Sequence, residues 1–75
     1  MGPVQSTDPN LKMRSARAAL GWTQQDLATA IGATRQTIGL IENGLYNPSL
    51  KLCLSIAHAL NKKLDDLFWE EPSNE

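Results

Sequence analysis

Apolar residues recur every three or four positions along the chain, and glycines and polar residues interrupt that rhythm at short intervals. This is the pattern of short amphipathic helices, and period-two alternation is almost absent. Asp8-Pro9 reads as a cap followed by proline at the first helical position, and Leu20-Gly21 as a stop, which predicts a first helix over about 9–20. Thr23 is placed to cap a second helix with Asp26 at its third position; Leu27, Ala28 and Ile31 make the apolar stripe and Gly32 ends it. Thr34 caps a third helix that carries Ile38 and Ile41 on one face and stops at Gly44. Leu45 to Pro48 reads as loop, because proline disfavours the helical region at the residue before it. Ser49 caps a fourth helix that reaches about Leu60 or Asn61. A short fifth helix is predicted over Leu64–Phe68, where Asp65 and Asp66 suit the positive end of the helix dipole. Its cap position falls on Lys63, which cannot accept a hydrogen bond.

The fourth helix is more apolar than a surface helix needs to be. With about 100° of rotation per residue, Lys51, Ser55 and His58 fall in one narrow sector and leave roughly 220° apolar, about twice the usual buried stripe. One cover is a symmetric dimer through helices 4 and 5, with Leu52, Ile56, Leu64, Leu67 and Trp69 at the interface. The other is that helix 4 is the central helix of a five-helix bundle.

Seventy-five residues bound one small domain near the size at which a single core only just suffices. The expected organisation is a flexible N-terminal segment over 1–8, a helical domain over 9–69 and an acidic tail over 70–75. Cys53 and His58, one of each, supply neither a disulfide nor a four-ligand zinc site, and no metal or cofactor is expected. No apolar run approaches the roughly 18 residues of a membrane span. No signal-peptide core follows Met1 either, so a cytoplasmic protein without a membrane partner is expected. The formal net charge of −1 conceals an asymmetry. Lys12, Arg14, Arg17, Arg35, Lys51, Lys62 and Lys63 all precede residue 64 and meet only Asp8, Asp26 and Glu42 there; Asp65, Asp66, Glu70, Glu71 and Glu75 follow. A moderately basic body with an acidic tail suits a polyanion partner, and is also common in surfaces without one.

Helices 2 and 3, joined by a glycine-bearing turn, have the order of a helix-turn-helix, whose second helix presents its N-terminal residues to base edges in the DNA major groove. That signal alone is weak, since many helical hairpins bind nothing. It is strengthened by the whole string "WTQQDLATAIGATRQTIGLIENGLYNPSL". With "RQTI", "IE", "YNPSL" and "IA" in this order, the chain from Leu11 to Phe68 resembles the phage-repressor and Cro-like (XRE) helix-turn-helix family, and within it the small stand-alone bacterial regulators. The resemblance implies an all-α, five-helix bundle, with short extended terminal segments as an option. It also implies binding of double-stranded DNA as a homodimer, usually to repress.

Carried over by position, the resemblance makes Arg35 and Gln36 the base-reading pair. Arginine presents a fork to guanine O6 and N7, and glutamine can match adenine N6 and N7. Leu40 stands where the family often has a polar side chain. It either packs on a thymine methyl in the groove or meets the core or a partner. Gln24, at the start of helix 2, becomes a phosphate clamp, and Thr34 lies beside the backbone as well as capping its helix. Thr37 either reaches a phosphate or thymine methyl or supports that cap. Asn43, Tyr46, Asn47 and Lys51 offer donors to a phosphate strand, although Asn-Gly and Asn-Pro are also simply good loop chemistry. Arg17 and Glu42 are implied to form a buried ion pair tying helix 1 to helix 3, which leaves Lys12 and Arg14 as helix 1's phosphate candidates. Gly39, mid-helix, either permits close approach or is merely tolerated.

The leading expectation is therefore a non-enzymatic DNA-binding regulator, with an inverted-repeat operator and half-sites about 34 to 36 Å apart. The alternative is an antitoxin or other regulator that binds a protein partner through the apolar surface of helices 4 and 5. The sequence offers no acid/base pair, phosphate-cradling glycine loop or metal spacing to support an enzyme.

Overall fold

In a computed structural model of the chain, residues 9–68 are described; Asp8, Trp69 and the remaining residues of 1–8 and 69–75 lie outside that range. Five helices follow in order: α1 Leu11–Ala19, α2 Gln24–Ile31, α3 Arg35–Glu42, α4 Leu50–Ala59 and α5 Leu64–Phe68. The all-α, five-helix architecture is the one the pattern predicts.

The helix ends follow one chemical rule. Asn10, Thr23, Thr34 and Ser49 cap α1 to α4, each side chain accepting from the backbone N–H three residues on. At the other ends Gly21, Gly32, Gly44 and Asn61 take the left-handed conformation, with φ between 58° and 74°. The following amides then reach back to the last turn: Trp22 to Arg17 O, Ala33 to Ala28 O, Leu45 to Leu40 O and Lys62 to Ala57 O, at 2.8–3.2 Å. This paired closure satisfies carbonyls a helix end would otherwise orphan. For α5 the missing cap at Lys63 is answered from the other side, since the Lys63 N–H donates to Asp66 Oδ2 at 3.0 Å.

The start of α1 corrects the expectation. It begins at Leu11, not near residue 9, because Asn10 is the cap: its Oδ1 accepts from the Met13 N–H at 3.0 Å. Asparagine caps as well as aspartate. The Asn10 N–H also donates to Glu42 O at 2.8 Å, so a tertiary contact with the end of α3 fixes where α1 starts.

Met13, Leu27, Ala28, Ile38 and Ile56 are completely buried and, with Ile41, Ala57, Leu60 and Leu67, form the core. Each large side chain among them contributes roughly 1.5–3 kcal/mol on burial. Two residues expected at a dimer interface belong to this core. Ile56 and Leu67 are buried within the chain, so neither is available to a partner, while Leu52 and Leu64 are half-buried. Helix α4 packs on α2 and α5, and its own chain covers most of the 220° apolar arc. What stays open is one edge: Leu50, 64 % exposed, and Leu54, one turn on and 50 % exposed, with Leu45 and Tyr46 also exposed just before α4.

Gly39 lies on α3 where it faces α2. A Cβ built there would sit 3.7 Å from Gln24 Oε1 and 3.9 Å from Nε2, ordinary contact distances with no clash. Gly39→Ala is therefore expected to stabilise the fold by up to about 1 kcal/mol, the helix-propensity difference, as a rise in the thermal midpoint. A fall would show that the glycine serves a closer approach.

Candidate nucleic-acid interface

The geometry of the α2–α3 pair comes from local chemistry. Thr23 and Asp26 form a reciprocal capping box, Thr23 N–H to Asp26 Oδ2 at 2.8 Å and Asp26 N–H to Thr23 Oγ1 at 3.0 Å. Gly32, with φ of +72°, turns the chain sharply, so only Ala33 separates it from the cap of α3. Thr34 Oγ1 accepts from the Thr37 N–H at 3.1 Å and lies 3.0 Å from Thr37 Oγ1. The Thr37 hydroxyl is thus engaged at the cap. Ile38 and Ile41 bury one side of α3, which leaves Arg35 and Gln36 exposed in its first turn and Leu40 half-buried one turn later. Neither Arg35 nor Gln36 has a side-chain hydrogen bond among the described residues. An eight-residue helix is about 12 Å long, the width of a B-DNA major groove.

At the far end of α3 the Glu42 carboxylate is fully buried and organises three helices. Arg17 grips it with both edges of its fork, Nε to Oε2 at 2.7 Å and Nη2 to Oε1 at 3.1 Å, and donates from Nη1 to Trp22 O at 2.7 Å. Hydrogen bonding to Glu42 raises the Arg17 pKa; burial opposes this, and Coulombic attraction to Glu42 adds to it. Gln24 Nε2 donates to Glu42 Oε1 at 3.0 Å, and Arg14 Nε stands 3.8 Å from the same oxygen. Arg14 Nη2 also donates to Asn43 Oδ1 at 3.2 Å.

The residues expected to meet DNA thus fall into groups along α3. Thr34, Arg35, Gln36 and Thr37 lie at its start, Gln24 against its middle and end, and Asn43 at its close beside Arg14. Tyr46, Asn47 and Lys51 are exposed, and no hydrogen bond ties their side chains to that group. Gln24 is half-buried, and its amide donates to Glu42 inside the protein. The bond links positions 18 apart in sequence, and no spacing rule announces it. His58 is exposed, and Cys53 is half-buried with its thiol pKa raised by burial, which keeps it in the unreactive protonated form.

A capped helix, a tight glycine turn and a second helix with one buried and one open face define the helix-turn-helix class. A profile described as helix-turn-helix matches residues 13–67, and the chain belongs to that family. It is 44 % identical over 63 residues to YgzD of Bacillus subtilis, described as an uncharacterized HTH-type transcriptional regulator, covering 84 % of this chain and 96 % of that one. Among solved structures it is similar to the restriction-modification controller protein C.AhdI of Aeromonas hydrophila, with a TM-score of 0.74 and 36 % identity over 79 % of this chain and 86 % of that one. It is also similar to the clp gene regulator ClgR of Corynebacterium glutamicum, with a TM-score of 0.74 and 29 % identity over 87 % and 84 %. The phage-repressor and Cro-like fold expected from the sequence is the fold observed. No described helix is long and apolar enough to cross a membrane.

Proposed function

We propose that the protein is a cytoplasmic transcriptional repressor that binds an inverted-repeat operator as a homodimer, each protomer placing α3 in a major groove. The observation that carries this reading is the two-sidedness of α3. Ile38, Ile41 and Glu42 hold it to the bundle, and Arg35 and Gln36, a guanine-type and an adenine-type reader, stand exposed in the turn that enters the groove first. Thr34 and Asn43 at the helix ends, and Tyr46, Asn47 and Lys51 beyond, supply backbone contacts in this reading.

The dimer surface is relocated from Ile56 and Leu67 to the open edge of α4, where Leu50 and Leu54 face outward, with half-buried Leu52 and Leu64 at its margin. The alternative, an antitoxin-like regulator, would use the same edge for a protein partner.

Selection from random duplexes tests the proposal. The expected product is a two-fold repeat with half-site centres about one helical turn apart, bound more weakly as salt rises because phosphates are neutralised. Leu54→Lys should shift sedimentation toward monomer and reduce affinity for the full site. No enriched two-fold sequence, or a wild type that sediments as monomer on its operator, would overturn it.

A further inference from the structure

We infer that Gln24 is a positioning residue for the recognition helix, bracing α3 through Glu42, and that this, more than contact with a phosphate, is its role in sequence reading. The inference rests on the DNA-binding reading above for its functional readout.

Gln24 is the first residue of α2 and Glu42 the last of α3, while the turn at Gly32 joins the opposite ends of the same two helices. The 3.0 Å bond from Gln24 Nε2 to Glu42 Oε1 therefore closes a triangle: a glycine turn at one vertex and a hydrogen-bonded brace across the open side. The brace is directed at a charge that cannot leave, since Glu42 is fully buried and held by Arg17 from α1. Hydrogen bonds to an ionised acceptor are roughly twice as strong as neutral ones. The Gln24 amide also lies beside α3 at Gly39, 3.7–3.9 Å from where a Cβ would stand, so the glycine leaves room for the amide on its way to Glu42. Arg14 Nε, at 3.8 Å, is too far from the same oxygen to substitute for the Gln24 hydrogen bond. A primary amide has two N–H donors, so the brace leaves one for a phosphate. The two roles are compatible and can be separated by experiment.

The test uses the full chain with Gln24→Met, which keeps the length and removes the donors, and Gln24→Glu, which sets a carboxylate against Glu42. Without DNA, hydrogen exchange at the Leu40, Ile41 and Glu42 amides is expected to quicken by about tenfold in both variants. With DNA, affinity for the selected operator is expected to fall by about tenfold and affinity for a scrambled duplex by less than about twofold. A phosphate clamp would predict equal losses on both duplexes, because phosphate contacts carry no direct sequence information. Equal losses, unaltered exchange in α3, or faster exchange with unaltered discrimination would each overturn the inference. If the wild type prefers no duplex, the DNA reading fails by itself, and the exchange measurement still decides whether the brace exists.

Discussion

Arg35→Ala is expected to weaken binding to the selected operator by about 1–3 kcal/mol, roughly 5- to 150-fold, and to relax the preference at one base pair in each half-site. Arg35 is exposed, lies one residue past the Thr34 cap, and its side chain makes no hydrogen bond among the described residues. Its loss should therefore leave the fold unchanged and act on recognition alone. Gln36→Ala should act at a neighbouring base pair, and the double variant should bind operator and scrambled duplex almost equally. Competition binding against single-base-pair variants of the operator measures both effects. A uniform weakening on every duplex would show that Arg35 meets phosphate and not base.

Glu42→Ala acts on the other face of the same helix and is expected to cost about 3–5 kcal/mol of stability. It leaves the Arg17 guanidinium unpaired in a half-buried site and removes the acceptor of Gln24. In a domain of this size that loss should lower the thermal midpoint by more than about 12 °C. Replacing both partners, as in Arg17→Met with Glu42→Met, should recover much of the deficit, because well-packed apolar residues can replace a buried ion pair at little net cost. If the double variant were as unstable as the single, the pair would have to be counted as a net stabiliser. The raised Arg17 pKa contributes stability that is present below the usual arginine range and lost only as pH rises through the raised value. Titration around neutrality should therefore leave this contribution intact.

The parts of this fold set by local chemistry could be read from the chain. Thr23 with Asp26, Thr34, Gly32 and Ser49 act within about one helical turn of themselves, and each stands in the role its type and position suggest. Relations set by tertiary packing were less legible. Asp8-Pro9 carried a strong helix-start signal, yet Asn10 is the cap, held beside the end of α3 by a contact that no local pattern contains. The wheel of α4 measured its apolar arc correctly, but could not say that α2 and α5 would cover Ile56 and leave Leu50 and Leu54 outside. For the candidate site, the family resemblance singles out Arg35 and Gln36, whose side-chain chemistry suits base edges, and it also pairs Arg17 with Glu42. The resemblance makes Gln24 a phosphate clamp at a helix start, while the partner it meets in the fold, Glu42, lies 18 positions away. The position of Leu40 stayed open for the same reason: half-burial is decided by neighbours from other helices.

The uniform closure of α1 to α4 bears on how readily this protein could be retargeted. Each of these helices is begun by an asparagine, serine or threonine and ended by a left-handed glycine or asparagine, so its limits are written in residues other than the proposed base readers. Positions 35, 36 and 40 can then be diversified as a set without shifting the frame that presents them. A library at those three sites should yield folded proteins with new operators far more often than one that also varies Thr34 or Gly44.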